Sequence, residues 1–155
     1  MGSNRGDSLG ALRGAVASLG ALLDDMRVSS LYVTKPMDYL AQPDFLNAAV
    51  VGQYRGTPRS LLEAVGAIEK RWGRDRANEI PKGPRALDID IELFGDSLVR
   101  ETDLVIPHER MGERLFVLVP LLELLPDSAD PVTGEPFREI AGRLSDQGVK
   151  KAGAL

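Results

Sequence analysis

The feature that most constrains this chain is the stretch GPRALDIDIELFG, residues 83–95. Four aliphatic residues alternate there with three acids, in the order Leu87, Asp88, Ile89, Asp90, Ile91, Glu92, Leu93. A period of two is typical of a β-strand that buries one face. Side chains two residues apart leave the same face, with their Cα atoms about 7 Å apart. The stretch therefore predicts a strand on which Asp88 and Asp90 point the same way.

Four further stretches are predicted to be helical, the first two from apolar residues at helical spacing behind an N-cap and the third from its continuous apolar run. The first helix begins after Asp7 or Ser8, and the second begins after the N-cap Thr57 and ends at Gly73. The third spans residues 116–125, and the fourth spans residues 137–144. Pro120 is expected within the first turn of the third helix, because a proline in a helix interior removes a hydrogen bond.

Residues 26–34 and 45–54 are rich in β-branched and aromatic side chains and predict two strands joined by a long loop. A short extended piece is expected at residues 104–106. The order helix, strand, strand, helix, strand, helix predicts an α+β sandwich, with helices on one face of a largely antiparallel sheet.

Length and composition restrict the class of protein. A chain of 155 residues that is 43% hydrophobic can bury a core, and we expect residues 1–155 to form a single domain. With no cysteine, disulfides, thiolate nucleophiles and zinc–thiolate sites are excluded. Nothing apolar is long enough to span a bilayer, and the polar, glycine-rich start does not resemble a secretory signal. We therefore expect a cytoplasmic protein without a membrane partner, and a monomer.

The acidic strand favours a metal site. Two unpaired carboxylates that share one face repel each other, and one would take up a proton unless a cation neutralises the pair. Mg²⁺ prefers oxygen ligands and is usually held by one or two carboxylates together with substrate phosphates. The alternative is an amphipathic strand whose acidic face is simply solvated, and the alternation of Asp88 and Asp90 does not by itself separate the two.

A basic cluster directly before the strand favours a polyphosphate ligand. It comprises Lys70, Arg71, Arg74, Arg76, Lys82 and Arg85, in a chain of net charge −4. Cations hold the oxygens of a polyphosphate, and guanidinium groups stabilise its charge during transfer. A solvated helix end is the alternative for Lys70 and Arg71. Nucleic acid fits poorly, because no aromatic residue between Arg74 and Arg85 could stack on a base.

The motifs together resemble the 6-hydroxymethyl-7,8-dihydropterin pyrophosphokinase family. GPRALDIDIELFG is similar to its signature, and QPDFLNAAV (42–50) and VIPHERMGERLFVLVPLLELLPD (105–127) are similar to two further hallmark segments. GSN (2–4) and VSSLYVT (28–34) also match. The resemblance implies a ferredoxin-like α+β fold. It also implies transfer of the pyrophosphoryl group of MgATP to the hydroxymethyl oxygen of the pterin, in folate synthesis.

The resemblance also implies roles for individual residues. Asp88 and Asp90 match the pair that holds two Mg²⁺ ions between protein and ATP. Arg74 and Arg85 match arginines that close on the triphosphate. The other implied ATP contacts are Glu69, Arg76, His108 and Arg114, and the implied pterin contacts are Thr34, Phe45, Asn47 and Phe116. From the residues alone, the two phenylalanines could equally be core, and His108 could be a structural or surface residue.

Departures from the family pattern keep alternatives open. The family begins with an apolar strand that runs into GSN, and this chain starts at Met1 of MGSN, so we expect that strand to be missing. Either the true start lies upstream or the chain is truncated and impaired. Glu92, where the family has an apolar residue, is expected to be solvated or salt-bridged. The competing hypotheses are a non-catalytic nucleotide or pterin binder and, with less support, a small RNA-binding module.

Overall fold

The computed structural model describes residues 1–37, 39–74 and 83–155. The helices are α1 (Ser8–Gly20), α2 (Pro58–Arg71), α3 (Leu115–Leu124) and α4 (Phe137–Arg143). The strands are β1 (Gly2–Ser3), β2 (Asp24–Val28), β3 (Leu31–Thr34), β4 (Phe45–Asn47), β5 (Val50–Gln53), β6 (Val99–Glu101), β7 (Leu104–Ile106) and β8 (Lys150–Gly153). The pairs of strands are antiparallel throughout the described chain, which confirms the predicted α+β, ferredoxin-like class.

β1 is the edge strand of the largest sheet and connects this sheet to the acidic segment. The largest sheet has the order β1-β4-β3-β8, and β2-β5 and β6-β7 form two-stranded ladders. Gly2 in β1 is opposite Asn47 in β4, and on its other side it is opposite Asp88. The expectation that the family's first strand is missing is therefore not confirmed, since a short strand lies at this position in the sheet.

The two predicted central strands are each divided in two. A serine makes the division, because Ser29 uses both its amide and its hydroxyl to bond Ala49 instead of continuing a regular ladder. The Ser29 amide donates to the Ala49 carbonyl (2.9 Å), and the Ala49 amide donates to the Ser29 hydroxyl (2.9 Å). The ladders β2-β5 and β3-β4 lie on either side of this point.

The prediction of a strand over residues 83–95 is only partly right. The segment is extended, and Asp88 exchanges two backbone hydrogen bonds of 2.8 Å with Gly2. Beyond this bridge no named ladder continues over residues 89–93. In the described chain the segment meets β1 at this bridge, and further along the Glu92 carbonyl accepts from the His108 amide in the loop after β7 instead of from a strand.

The helix starts follow the predicted caps. The Asp7 side chain accepts from the Gly10 amide at 2.9 Å, and Thr57 forms a capping box with Ser60. The prediction for Pro120 is wrong, because it lies in the middle of α3 rather than in its first turn. Its missing N–H deprives only the Phe116 carbonyl of a helical donor, and the buried pyrrolidine ring contributes to the core instead.

Two apolar clusters fix the orientation of the acidic segment. The larger one packs α1 and α2 against the sheet and consists of Leu12, Ala15, Leu19, Leu31, Val65, Ile68, Leu87 and Ile89. The smaller one joins α3 and α4 through Leu118, Leu121, Met111 and Phe137. Because Leu87 and Ile89 are buried in the larger cluster, the acids between them must face the other side. None of the described helices is long and apolar enough to span a bilayer.

A partly exposed carboxylate ties α3 to the sheet. Glu123 accepts hydrogen bonds from the Tyr32 hydroxyl (2.5 Å), the Ser30 hydroxyl (2.7 Å) and the Ser30 amide (3.1 Å), and Lys151 lies 3.5 Å away. The Tyr32 hydrogen bond, with smaller contributions from Ser30 and Lys151, lowers the pKa of Glu123 to about 2. The ionised carboxylate therefore stabilises the folded state.

Glu123→Gln is expected to lower the free energy of unfolding at pH 7 by about 1 kcal/mol, because the charge-assisted hydrogen bonds are weakened at a position where solvent screens the charge. A carboxyl group whose folded pKa is depressed contributes stability above its unfolded pKa and loses it as pH falls through the folded pKa. The difference from wild type should therefore shrink between about pH 4.5 and 2, measured by urea unfolding. Glu139→Gln, an exposed change on α4, is the control. An equal difference at pH 3 and pH 7 would contradict the charge as the cause.

Candidate active site

One cavity of about 760 Å³ lies against the acidic segment and extends to the start of α3. Nine of the residues singled out in the sequence line it: Thr34, Phe45, Asn47, Arg85, Asp88, Asp90, His108, Arg114 and Phe116. They come from β3, β4, the 83–95 segment, the loop after β7, and α3, so the fold gathers residues up to 82 positions apart in sequence. A cavity of this size can hold a small organic ligand.

Asp88 and Asp90 both face this cavity, as the alternation predicts. Asp90 is exposed, whereas Asp88 is mostly buried, with 15% of its side chain accessible. Asp88 forms ion pairs, whereas no ion pair of Asp90 is found in the described chain. Asp90 is thus a free ligand group on the cavity wall.

Asp88 is bracketed by two arginines. Arg74 binds one of its carboxylate oxygens through Nη1, and Arg85 binds the other through its own Nη1. Burial by itself would raise the pKa of Asp88, but the charges of Arg85 and Arg74 and their hydrogen bonds outweigh it, so the pKa is held below its usual value. Asp88 is therefore ionised, and its charge is neutralised by the protein's own guanidinium groups.

Glu69 lies behind this arrangement rather than on the cavity wall. It is 1% exposed, accepts a hydrogen bond of 2.8 Å from the Ile89 amide, and forms an ion pair with Arg74. Because one carboxylate bonds both the acidic segment and an arginine, Glu69 fixes the position of Arg74 relative to Asp88. Its predicted contact with ATP remains a prediction.

A second group of cavity-lining residues consists of an amide and two aromatic rings. Asn47 is buried and donates from Nδ2 to the Thr34 hydroxyl at 2.7 Å. A Cβ atom on Gly2 would lie 2.5 Å from the Asn47 Oδ1 atom, so only glycine leaves this amide in place. Phe45 and Phe116 line the same cavity. An oriented amide near aromatic rings suits a flat heterocycle with donors and acceptors on its edge.

The third part contains His108, Glu92 and Arg114. The His108 amide donates to the Glu92 carbonyl (3.0 Å), and the Arg110 amide donates to His108 Nδ1 (3.2 Å). Nδ1 is thus an acceptor, which leaves the proton of the neutral ring on Nε2. Burial lowers the pKa of His108, and Arg114 adds to this against the opposing charge of Asp90. The ring is therefore neutral at pH 7.

The expectation that Glu92 is solvated or salt-bridged is wrong. Its side chain is 21% exposed, its Oε2 atom has no hydrogen-bond partner among the described residues, and the nearest cation candidate is His108 Nδ1 at 4.0 Å. Burial, followed by repulsion from Asp90, raises the pKa of Glu92 to about 7. The side chain of Glu92 is mostly buried because it lines the cavity that several elements form together.

Sequence reasoning assigned no role to Asn4, although the structure gives it one. The buried Asn4 side chain accepts from the Arg85 amide at 2.8 Å and donates to Gln42 (3.0 Å) and to the Pro43 carbonyl (2.9 Å). It therefore links the segment that carries Arg85 to the loop before β4. The matching GSN tripeptide was the signal that could have identified it. Arg76, a predicted ATP contact, lies outside the described residues.

The donor atoms fit a magnesium site that a ligand completes. Within the described ranges, no cluster of three or more His, Asp or Glu side chains could hold a metal alone. Asp88 and Asp90 supply two carboxylates on one wall of the cavity. Mg²⁺ is usually bound by one or two carboxylates with water and phosphate oxygens as its other ligands, which matches this set.

Comparison with known proteins gives consistent matches over most of the chain. The model of the family described as 7,8-dihydro-6-hydroxymethylpterin-pyrophosphokinase (HPPK) matches residues 1–126. A 2-amino-4-hydroxy-6-hydroxymethyldihydropteridine pyrophosphokinase of Methylorubrum extorquens is 41% identical over 154 residues, which is 97% of this chain and 94% of that protein. The protein of the same name from Bacillus subtilis is 45% identical over 126 residues, covering 80% of this chain and 74% of the relative.

A fungal relative is much longer. The folic acid synthesis protein fol1 of Schizosaccharomyces pombe is 40% identical over 151 residues, which is 96% of this chain. The chain spans about a fifth of the length of that relative.

Proposed function

Because this chain belongs to the 7,8-dihydro-6-hydroxymethylpterin-pyrophosphokinase family, we propose that it transfers the pyrophosphoryl group of ATP to the hydroxymethyl oxygen of 6-hydroxymethyl-7,8-dihydropterin, in folate biosynthesis. The observation that carries the proposal is that two carboxylates and an arginine line the same cavity as an oriented amide and two aromatic rings. One end suits a polyphosphate and the other a flat heterocycle. Membership of the family, which the sequence motifs predicted, is confirmed by the match over residues 1–126.

The pterin is proposed to bind at Asn47. The amide of Asn47, held by Thr34 and by the lack of a side chain on Gly2, would read the donor and acceptor edge of the bicycle. Phe45 and Phe116 would contact its faces, and the guanidinium of Arg114 lies 5.6 Å from the ring centre of Phe116. In this proposal the hydroxymethyl group of the pterin faces the aspartates.

The triphosphate is proposed to lie along Asp88 and Asp90, with Arg114 and His108 at its other end. Mg²⁺, when bound by the two aspartates, would neutralise the phosphate oxygens and orient the chain of phosphates. The guanidinium groups of Arg74 and Arg85, which pair with Asp88 in this structure, would turn to the β- and γ-phosphates.

The reaction then needs little further chemistry from the protein. The hydroxymethyl oxygen forms a bond to the β-phosphorus, the bond from that phosphorus to the bridging α–β oxygen breaks, and AMP leaves with that oxygen. The hydroxyl proton passes to solvent. Positioning and charge stabilisation account for most of the catalysis of such transfers, so no general base is assigned.

The test is the identity of the nucleotide product. Purified protein with ATP, Mg²⁺ and 6-hydroxymethyl-7,8-dihydropterin is expected to form AMP and the pterin pyrophosphate in equal amounts, measured by ion-exchange chromatography. Omitting the pterin or chelating Mg²⁺ should abolish AMP formation. Release of ADP, or AMP formation that ignores the pterin, would contradict the proposal.

A second candidate function is non-catalytic binding of the nucleotide or the pterin. One observation favours it: Asp90 lies in residues 89–93, which have no strand ladder to fix the second carboxylate against the phosphates. Calorimetry separates the two functions. Heat of binding for both ligands without AMP production would support the binder.

A further inference from the structure

The start of α3 is held by a side chain from the segment after α4. Arg114, the N-cap residue of α3, has an extended backbone (φ −121°, ψ 100°), and its side chain makes no capping hydrogen bond within the described chain. The Gln147 side chain bonds this helix start from outside. Its Oε1 atom accepts from the Leu115 amide at 2.8 Å, and its Nε2 atom donates to the Glu113 carbonyl at 2.8 Å. Gln147 thus satisfies an amide of the first turn that has no partner within the helix.

These two hydrogen bonds restrict the backbone on both sides of Arg114. The Glu113 carbonyl belongs to the peptide group before residue 114, and the Leu115 amide belongs to the peptide group after it. Because each peptide group is planar, the angles φ and ψ of a residue describe how its two flanking planes are rotated. A single carboxamide that bonds both planes therefore restricts both angles of Arg114. These angles set the direction in which its side chain leaves the backbone.

The Arg114 side chain lines the cavity. Its guanidinium lies 5.6 Å from the ring centre of Phe116 and forms no ion pair with a described residue. A guanidinium without a carboxylate partner is available to an anionic ligand, and its planar fork suits phosphate oxygens. The direction of this side chain decides whether the fork meets the phosphates.

The backbone around Gln147 is itself held in place. The Asp146 side chain accepts from the Gly148 amide at 2.8 Å, and Gly148 has φ of +68°, so the chain turns sharply at Gln147. Beyond this turn β8 pairs with β3, which anchors the segment to the sheet. Gln147 lies outside residues 1–126, the range that the family model matches.

We propose that Gln147 is a positioning residue for nucleotide binding, whose carboxamide holds the backbone of Arg114 so that the guanidinium faces the triphosphate of ATP. Gln147 is absent from the described residues that line the cavity, so it acts through Arg114 and not by contact with the ligand. The inference rests on the proposed function in one respect, which is the contact of Arg114 with the nucleotide. The alternative is a cap that only stabilises α3.

The first measurement is a double-mutant cycle on nucleotide affinity, by calorimetry with ATP and Mg²⁺ and without pterin. Gln147→Ala is expected to raise the Kd for ATP by about fivefold, and Arg114→Ala by about tenfold or more. If Gln147 acts through Arg114, the double variant should bind ATP no more weakly than Arg114→Ala alone. A cap that only stabilises α3 would affect affinity with or without the guanidinium, so the two effects would multiply.

The second measurement needs no ligand. His108 is the only histidine of the chain, so its ring gives a single titration curve by NMR. Burial lowers the pKa of His108 and Asp90 opposes this, while the charge of Arg114 lowers it further. Displacing the guanidinium should therefore raise the pKa of His108 in Gln147→Ala and in Arg114→Ala, with no further rise in the double variant. The other acids near the ring are the same in all these proteins: Asp88, Glu92 and Glu109.

The control is Lys150→Ala, an exposed change on β8 in the same segment, which should alter neither the Kd for ATP nor the titration of His108. Multiplying effects on the Kd would overturn the inference, as would a His108 titration that Gln147→Ala leaves at the wild-type value. Both measurements are independent of turnover. A protein that shows the expected cycle but forms no AMP would refute the pyrophosphokinase activity and still support the role of Gln147.

Discussion

Asp90→Asn is expected to lower kcat for AMP formation by about 10³-fold or more, with Tm changed by less than about 2 °C. Asp90 is exposed on the cavity wall and has no ion pair within the described residues, so its charge is available to a metal ion and contributes little to folding. The amide keeps the size of the side chain and removes the anionic ligand.

Two further measurements make the Asp90 result specific. Asp127→Asn, at an acid that is 92% exposed and far along the chain, should leave kcat unchanged. Because Asp90 contributes to the raised pKa of Glu92, the variant should also shift the titration of Glu92 to lower pH, which carbon NMR can follow. An unaltered kcat with intact fold would remove the assignment of Asp90 to the metal.

Arg85→Ala is expected to reduce kcat by about 10³-fold, while the Kd for ATP changes by less than about tenfold. The guanidinium is partly exposed, at 28%, and pairs with Asp88 in this structure, so it can reach phosphate oxygens by a change of side-chain conformation. Its contribution should be largest where negative charge accumulates during transfer, which is in the transition state.

The pH profile distinguishes this role from a structural one. The charge of Arg85 lowers the pKa of Asp88, so its removal should move the acidic limb of kcat/KM to higher pH. Arg138→Ala, at an exposed arginine of α4, should leave both the rate and the profile unchanged. An Arg85 variant that binds ATP at least a hundredfold more weakly but turns over bound substrate normally would contradict the role.

The shared face of Asp88 and Asp90 could be predicted from the sequence, because it follows from local backbone geometry. A period of two is intrinsic to extended backbone, so burial of Leu87 and Ile89 sends Asp88 and Asp90 to the opposite face whatever the rest of the chain does. The capping of α2 by Thr57 is local in the same sense. These features needed no knowledge of the tertiary structure.

The parts that were missed depend on contacts between distant residues. The division of the central strands depends on the Ser29 side chain meeting Ala49, twenty positions away. The interior position of Pro120 is tolerated because its ring is fully buried in the packed structure, which no pattern in the sequence of α3 indicates. The burial of Glu92 likewise results from the cavity that several elements form together.

The pairing of Asp88 with Arg74 and Arg85 has a consequence for the order in which ligands assemble. A divalent ion arriving alone would have to compete with two guanidinium groups for the same oxygens, whereas an ion delivered with a polyphosphate offers those groups a replacement anion. In the proposed reaction, nucleotide and metal would thereby be coupled thermodynamically, each raising the affinity for the other. Without nucleotide, the ion pairs of Asp88 with Arg74 and Arg85 would disfavour binding of a divalent cation alone.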